Sequence, residues 1–153
     1  MPKRISFELV TPERVVLSQE ADSVTLPAFE GEMGVLPGHE PFMVQLKEGE
    51  IRVTSAKEVK SFAVSGGFAE VLGHKVEVFA ETAEMAGEID EERARQGLEK
   101  AKAALGKPAD SLSLAQAEAL MRREQVRLRV ADLKRRRSSG PAPPVPGATA
   151  SPL

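Results

Sequence analysis

Lys75-Val76-Glu77-Val78-Phe79 alternates apolar and polar side chains, and Asp90-Glu91-Glu92-Arg93-Ala94 opens a stretch in which apolar residues recur at Ala94, Leu98, Ala101 and Leu105. A spacing of two turns one face of a strand to a core and the other to water. A spacing of i, i+4, i+7, i+11 is one stripe of a helix. The change of period between these segments divides the chain into a β part and an α part.

Upstream, the alternation repeats in Ile5-Ser6-Phe7-Glu8-Leu9, Asp22-Ser23-Val24-Thr25-Leu26 and Glu50-Ile51-Arg52-Val53-Thr54. Lys47-Glu48-Gly49-Glu50 and Leu72-Gly73-His74-Lys75 read as short Gly-containing hairpin connections. Short strands separated by turns predict an antiparallel β-sandwich or barrel over 1–86, of which the sandwich is adopted here. Downstream, Asp90 is placed to cap a helix whose first turn is acidic, and Gly106 and Pro108 stop it. Ser113 and Gln116 form a capping-box pattern for a second helix. Its apolar stripe is Leu114, Ala117, Met121, Leu128 and Ala131, interrupted by Glu124. The prediction is an α+β protein: a sandwich, then an α-helical hairpin over 87–137. The stripes are thin and Ala-rich, and Gly97 in mid-helix costs about 1 kcal/mol relative to Ala. The hairpin therefore depends on docking and is a candidate moving part. Residues 138–153 hold five of the 11 prolines and read as a disordered, polyproline-like tail, either inert or a ligand for a proline-recognition domain.

Composition excludes several chemistries. Cys is absent and only His39 and His74 are present, so thiol catalysis, Cys-ligated metals and three-His sites are out. Trp and Tyr are also absent, which leaves few platforms for stacking bases. No stretch before residue 138 reads as a membrane span, and the N-terminus does not read as a signal peptide, so a cytosolic protein is expected. Gly31-x-x-Gly34 and Gly66-Gly67 do not precede a helical pattern and do not read as phosphate cradles. His39 and His74 have no evident acid partner, so an enzyme is the weaker hypothesis.

Charge is divided like the periodicity. Residues 1–90 hold 8 Lys/Arg against 16 Asp/Glu, giving −8; residues 91–137 hold 13 against 7, giving +6. Either the two modules meet different partners, or helices here simply carry more cations. The segment Glu30 to Phe42, with three Gly, two Pro and His39, reads as a rigid loop presented between strands.

Leu9-Val10-Thr11-Pro12-Glu13-Arg14, Glu-Gly-Glu-x-Gly-x-x-Pro-Gly-His-x-Pro at 30–41, Val64-Ser65-Gly66-Gly67-Phe68-Ala69-Glu70-Val71, and Ala83-Glu84 followed by Ile89-Asp90-x-x-Arg93-Ala94 occur in this order. Together they resemble the epsilon subunit of bacterial F-type ATP synthases over roughly residues 5–137; the proline-rich extension lies outside that pattern. The resemblance implies a non-catalytic central-stalk subunit at the cytoplasmic face of the cell membrane, attached only through its complex. Its implied partners are the gamma subunit, the c-subunit ring and the alpha/beta catalytic head. It implies that Glu32 and His39 face the c ring and that Arg122 and Arg129 meet the head when the hairpin extends to block ATP hydrolysis. No cofactor is required, but some relatives bind regulatory ATP on the folded hairpin. The corresponding positions are Glu84, Ile89, Asp90, Arg93, Ala94, Arg123 and Arg127, while Lys100 and Gln116 depart from the Arg of well-studied ATP binders. Arg123 and Arg127, one turn apart, are spaced to face one phosphate. Equally, Asp90 is placed to cap the helix and Arg93 to pair with a nearby acid. The competing reading is a basic-helix adaptor for nucleic acid or acidic proteins.

Overall fold

The computed structural model describes residues 3–106 and 113–139. Eight strands come first: β1 (Ile5–Val10), β2 (Val15–Ala21), β3 (Ser23–Ala28), β4 (Gly31–Val35), β5 (His39–Ser55), β6 (Glu58–Gly73), β7 (Lys75–Ala80) and β8 (Ala83–Met85). A 3-10 turn at Ala86–Glu88 leads to helices α1 (Glu91–Gly106) and α2 (Leu114–Ser139). The sandwich-then-hairpin order predicted from the periodicity is the observed one.

The two layers are made by two long strands that serve both. The first half of β5 and second half of β6 pair with each other, and β6 there continues to β7, β1 and β2. The second half of β5 pairs with β3, which carries β4, while the first half of β6 pairs with β8. β6 makes its transition at Gly66 and Gly67, both at positive φ (117° and 128°). A Cβ at Gly67 would lie 2.0 Å from the Phe79 carbonyl oxygen, so only glycine lets β7 approach there. On β5 the matching position is Gly49, whose absent Cβ leaves room for the Pro27 ring.

These crossings correct two expectations. Lys47–Glu50 is not a hairpin turn but lies inside β5, where Glu48 pairs with Ser65 and Gly49 with Val64. The glycine-rich segment 30–42 is mostly strand, with turns at Phe29–Glu30 and Leu36–Gly38. The expected antiparallel pattern also has one exception: β1 runs parallel to β7. The turn at Leu72–Lys75 is as expected, with Val71 opposite Val76.

Between the layers, Ile5, Phe7, Leu9, Leu26, Ile51, Val53 and Phe62 are fully buried in a single cluster. At about 1.5–3 kcal/mol for each large apolar side chain buried, this core supports the sandwich by itself. The hairpin has no equivalent. Ala63, Ala86, Ile89, Val126, Val130 and Ala131 form a separate cluster of six residues, three of them Ala, which seats α2 on β6 and the 3-10 turn. Asp90 caps α1 by accepting the Arg93 amide N–H at 3.1 Å. Ser113 and Gln116 complete the capping box, with contacts of 2.9 and 3.2 Å. α2 continues through Ser138 and Ser139, two residues into the stretch expected to be tail; the rest of that stretch lies outside the described residues.

Candidate functional site

Acids of the sandwich and cations of α2 meet along the docked face. Arg122 Nε reaches Glu48 Oε1 at 3.4 Å on an exposed edge. Arg127 donates Nε and Nη2 to the two carboxylate oxygens of Glu84 on β8, at 2.7 and 3.1 Å, and Nη1 to Glu124 at 2.8 Å. Hydrogen bonding to Glu84, and to Glu124 beside it, holds the Arg127 guanidinium protonated beyond its ordinary range despite partial burial. At the end of α2, Arg137 donates both Nη atoms to Glu50 at 3.0 Å, and Nη1 also reaches the Ser61 hydroxyl at 3.2 Å. Glu50 accepts as well from Arg52 at 2.9 Å, and Arg52 forks onto Glu32 at 3.2 and 3.0 Å. Burial pushes the Glu50 carboxyl up, but the Arg137 and Arg52 hydrogen bonds outweigh it, so it titrates below the ordinary 4.5.

The −8 and +6 halves are therefore partly complementary to each other. That revises the choice between separate partners and mere composition: part of the opposite charge is matched inside the chain. The separation along the sequence hid this from a local reading.

The other side of the hairpin holds a cleft of about 560 Å³ between α1 and α2, lined by Arg93, Gly97, Lys100, Arg123, Glu124 and Arg127 among others. Among the described residues, Arg93, Lys100 and Arg123 form no ion pair. The structure thus brings together three of the residues named from sequence, Arg93, Arg123 and Arg127, and adds Lys100. It sets the others apart. Glu84 reaches Arg127 from the sandwich side, where a second hollow of about 320 Å³ lies between α2 and the sandwich. Ile89 packs in the docking cluster, Ala94 is fully buried, and Asp90 is the helix cap. Gln116 reaches back to the Ser113 N–H as a cap.

Glu32 is held on β4 by Arg52 and belongs to the Glu50–Arg137 network. His39 opens β5, donates Nδ1 to the Glu40 carbonyl at 2.9 Å and lies 4.9 Å from the Phe42 ring. Arg129 is exposed and forms no ion pair among the described residues, whereas Arg122 is already engaged by Glu48. Sequence reasoning missed Glu50, Glu124 and Gly97. An acid in the apolar stripe of one helix and a glycine in the middle of the other were the available signals for Glu124 and Gly97, whereas Glu50 sits at a polar position of its alternating run and gives none.

No helix among the described residues is long and apolar enough to cross a membrane. The family model for the ATP synthase delta/epsilon chain beta-sandwich domain matches residues 4–86, and that for its long alpha-helix domain matches residues 88–132. The ATP synthase epsilon chain of Herpetosiphon aurantiacus is 47% identical over 87% of this chain and 98% of its own length. That of Syntrophobacter fumaroxidans is 44% identical over 86% and 98%. A chain in the cryo-EM structure of Euglena gracilis mitochondrial ATP synthase (OSCP/F1/c-ring, rotational state 1) superposes with TM-score 0.74 at 29% identity, covering 87% of this chain and 83% of that one. With both modules matched in order, and near-full-length bacterial relatives at this identity, the chain belongs to the ATP synthase epsilon chain family.

Proposed function

We propose that this chain is a non-catalytic rotor subunit whose hairpin regulates ATP hydrolysis by exchanging one docking surface for another. The sandwich binds a gamma subunit and rests on a c-subunit ring at the cytoplasmic face of the membrane, with His39 and Glu32 on the ring side. Docked, the hairpin leaves the motor free. Extended, it offers Arg122, Arg127, Arg129 and Arg137 to acidic surfaces of the alpha/beta head and blocks hydrolysis. One observation carries this: α2 is held on the sandwich by charge pairs and a six-residue, Ala-rich cluster, not by the sandwich core. Such contacts can be traded for equivalent ones: the exposed Arg122–Glu48 pair contributes only about 0–1 kcal/mol, and the more buried Arg127 and Arg137 pairs can be exchanged where the second surface offers their guanidinium groups acids of its own. The cations used in one state become the recognition surface of the other.

The cleft between the helices is the binding place for regulatory ATP. Arg93, Lys100 and Arg123 line it and form no ion pair among the described residues, a donor set suited to a polyphosphate. A ligand touching both helices stabilises the hairpin in its docked form by mass action. Reconstituting alpha, beta and gamma subunits with the full chain or with residues 1–86 tests the regulatory reading. The full chain slows ATP hydrolysis and residues 1–86 do not; equal rates, or failure of the full chain to bind gamma, refute it.

A further inference from the structure

Glu124 lies where the apolar stripe of α2 calls for a hydrophobic residue, and its side chain is 7% exposed. Its carboxylate is accommodated by one feature of the opposing helix. A Cβ at Gly97 would stand 2.9 Å from Glu124 Cδ and Cγ and 3.0 Å from Oε1, so glycine at that position is what admits the acid. Two residues that look like separate defects, a polar break in one helix and a flexible residue in the other, are halves of one contact.

The contact falls inside the cationic cleft. Glu124 lines it beside Arg93, Lys100, Arg123 and Arg127. It takes the Nη1 donor of Arg127, whose Nε and Nη2 are already committed to Glu84. An entering phosphate therefore finds these Arg127 donors occupied and a buried carboxylate alongside. Like charges this close in a partly desolvated site repel, and a second anion must displace the first.

We infer that Glu124 is a built-in anion that occupies the phosphate end of the interhelical cleft and sets the affinity and selectivity of the hairpin for polyphosphate ligands. This rests on the reading of the cleft as a nucleotide site. On this view the chain supplies internally part of the counter-charge that an external nucleotide would bring, so the hairpin closes with less dependence on nucleotide. Gly97 is a positioning residue for that carboxylate.

Titration calorimetry of the full chain with ATP, tripolyphosphate and adenosine tests the inference, comparing the native chain with Glu124→Gln and Glu124→Ala. Glu124→Gln keeps the shape and removes the charge; Glu124→Ala removes both, and circular dichroism verifies that each variant retains its helices. Both substitutions are expected to tighten ATP and tripolyphosphate by about tenfold or more, with adenosine unaffected. Native binding of ATP that neither substitution changes overturns the role of Glu124 and leaves the cleft reading standing. An equal gain for adenosine also overturns it, since vacated space rather than charge is then responsible. Absence of ATP binding by all three proteins at millimolar nucleotide overturns the cleft reading itself.

Discussion

Glu50 shows how a single side chain can tie the end of α2 to the sandwich. Its carboxyl is held below the ordinary 4.5 because the Arg137 and Arg52 hydrogen bonds outweigh its burial. A carboxyl with a depressed value in the folded state contributes stability that is fully present above its ordinary value and is lost as pH falls through the depressed one. Fluorescence transfer between labels on α2 and the sandwich therefore reports firm docking at neutral pH and loosening in the acid range below 4.5. Glu50→Gln starts looser and loses that component of the acid response; an unchanged acid transition in the variant would contradict the assignment. Gly67 acts at the same scale through shape. Gly67→Ala adds a Cβ 2.0 Å from the Phe79 carbonyl oxygen on a backbone at φ 128°. It should cost more than about 2 kcal/mol, read as a lower denaturation midpoint with the slope retained.

The elements differ in how far each stands alone. The sandwich closes around Phe7, Phe62 and the aliphatic residues between its layers, so residues 1–86 are expected to unfold cooperatively without the hairpin, followed by circular dichroism in urea. The isolated hairpin, residues 87–139, is expected to show much less helix than it contributes in the full chain, because its buried positions are mainly Ala94, Ala101 and Ala117 on the interhelical side. Arg127→Ala strands Glu84 and the buried Glu124 without their shared donor. It should weaken docking by about 3 kcal/mol, against about 0–1 kcal/mol for Arg122→Ala at its exposed edge. Much at this scale was legible in the sequence. The two helix starts rest on caps spanning three residues, Asp90 to Arg93 and Ser113 to Gln116, and strands β1, β3 and β7 on plain alternation. The long strands were not legible. Gly49 beside charged residues looks like a turn, and only its pairing with Val64 shows that the chain runs straight through.

At the scale of the whole molecule, the proposed regulation is a competition between surfaces for the same arginines. The chain has no cysteine, so a pair introduced at Ala119 and Thr82, which line one hollow between α2 and the sandwich, can be joined by a short thiol cross-linker without side reactions. In a reconstituted alpha–beta–gamma head, the cross-linked chain is expected to lose its suppression of ATP hydrolysis and to regain it when a cleavable linker is cut. Suppression that persists while the hairpin is locked down would remove the need for an extended state.

Period, caps and composition act within a turn or along one strand, and by themselves they determined a sandwich followed by a helical hairpin and excluded thiol and three-His chemistry. What they left undecided was which charges meet. Arg127 finds Glu84 across 43 positions, and Arg137 finds Glu50 across 87. Glu124 and Gly97 become partners only when α1 and α2 lie side by side. Each of these pairings depends on Coulomb attraction or steric room over a few ångströms, and only the folded chain brings such distant residues within that range.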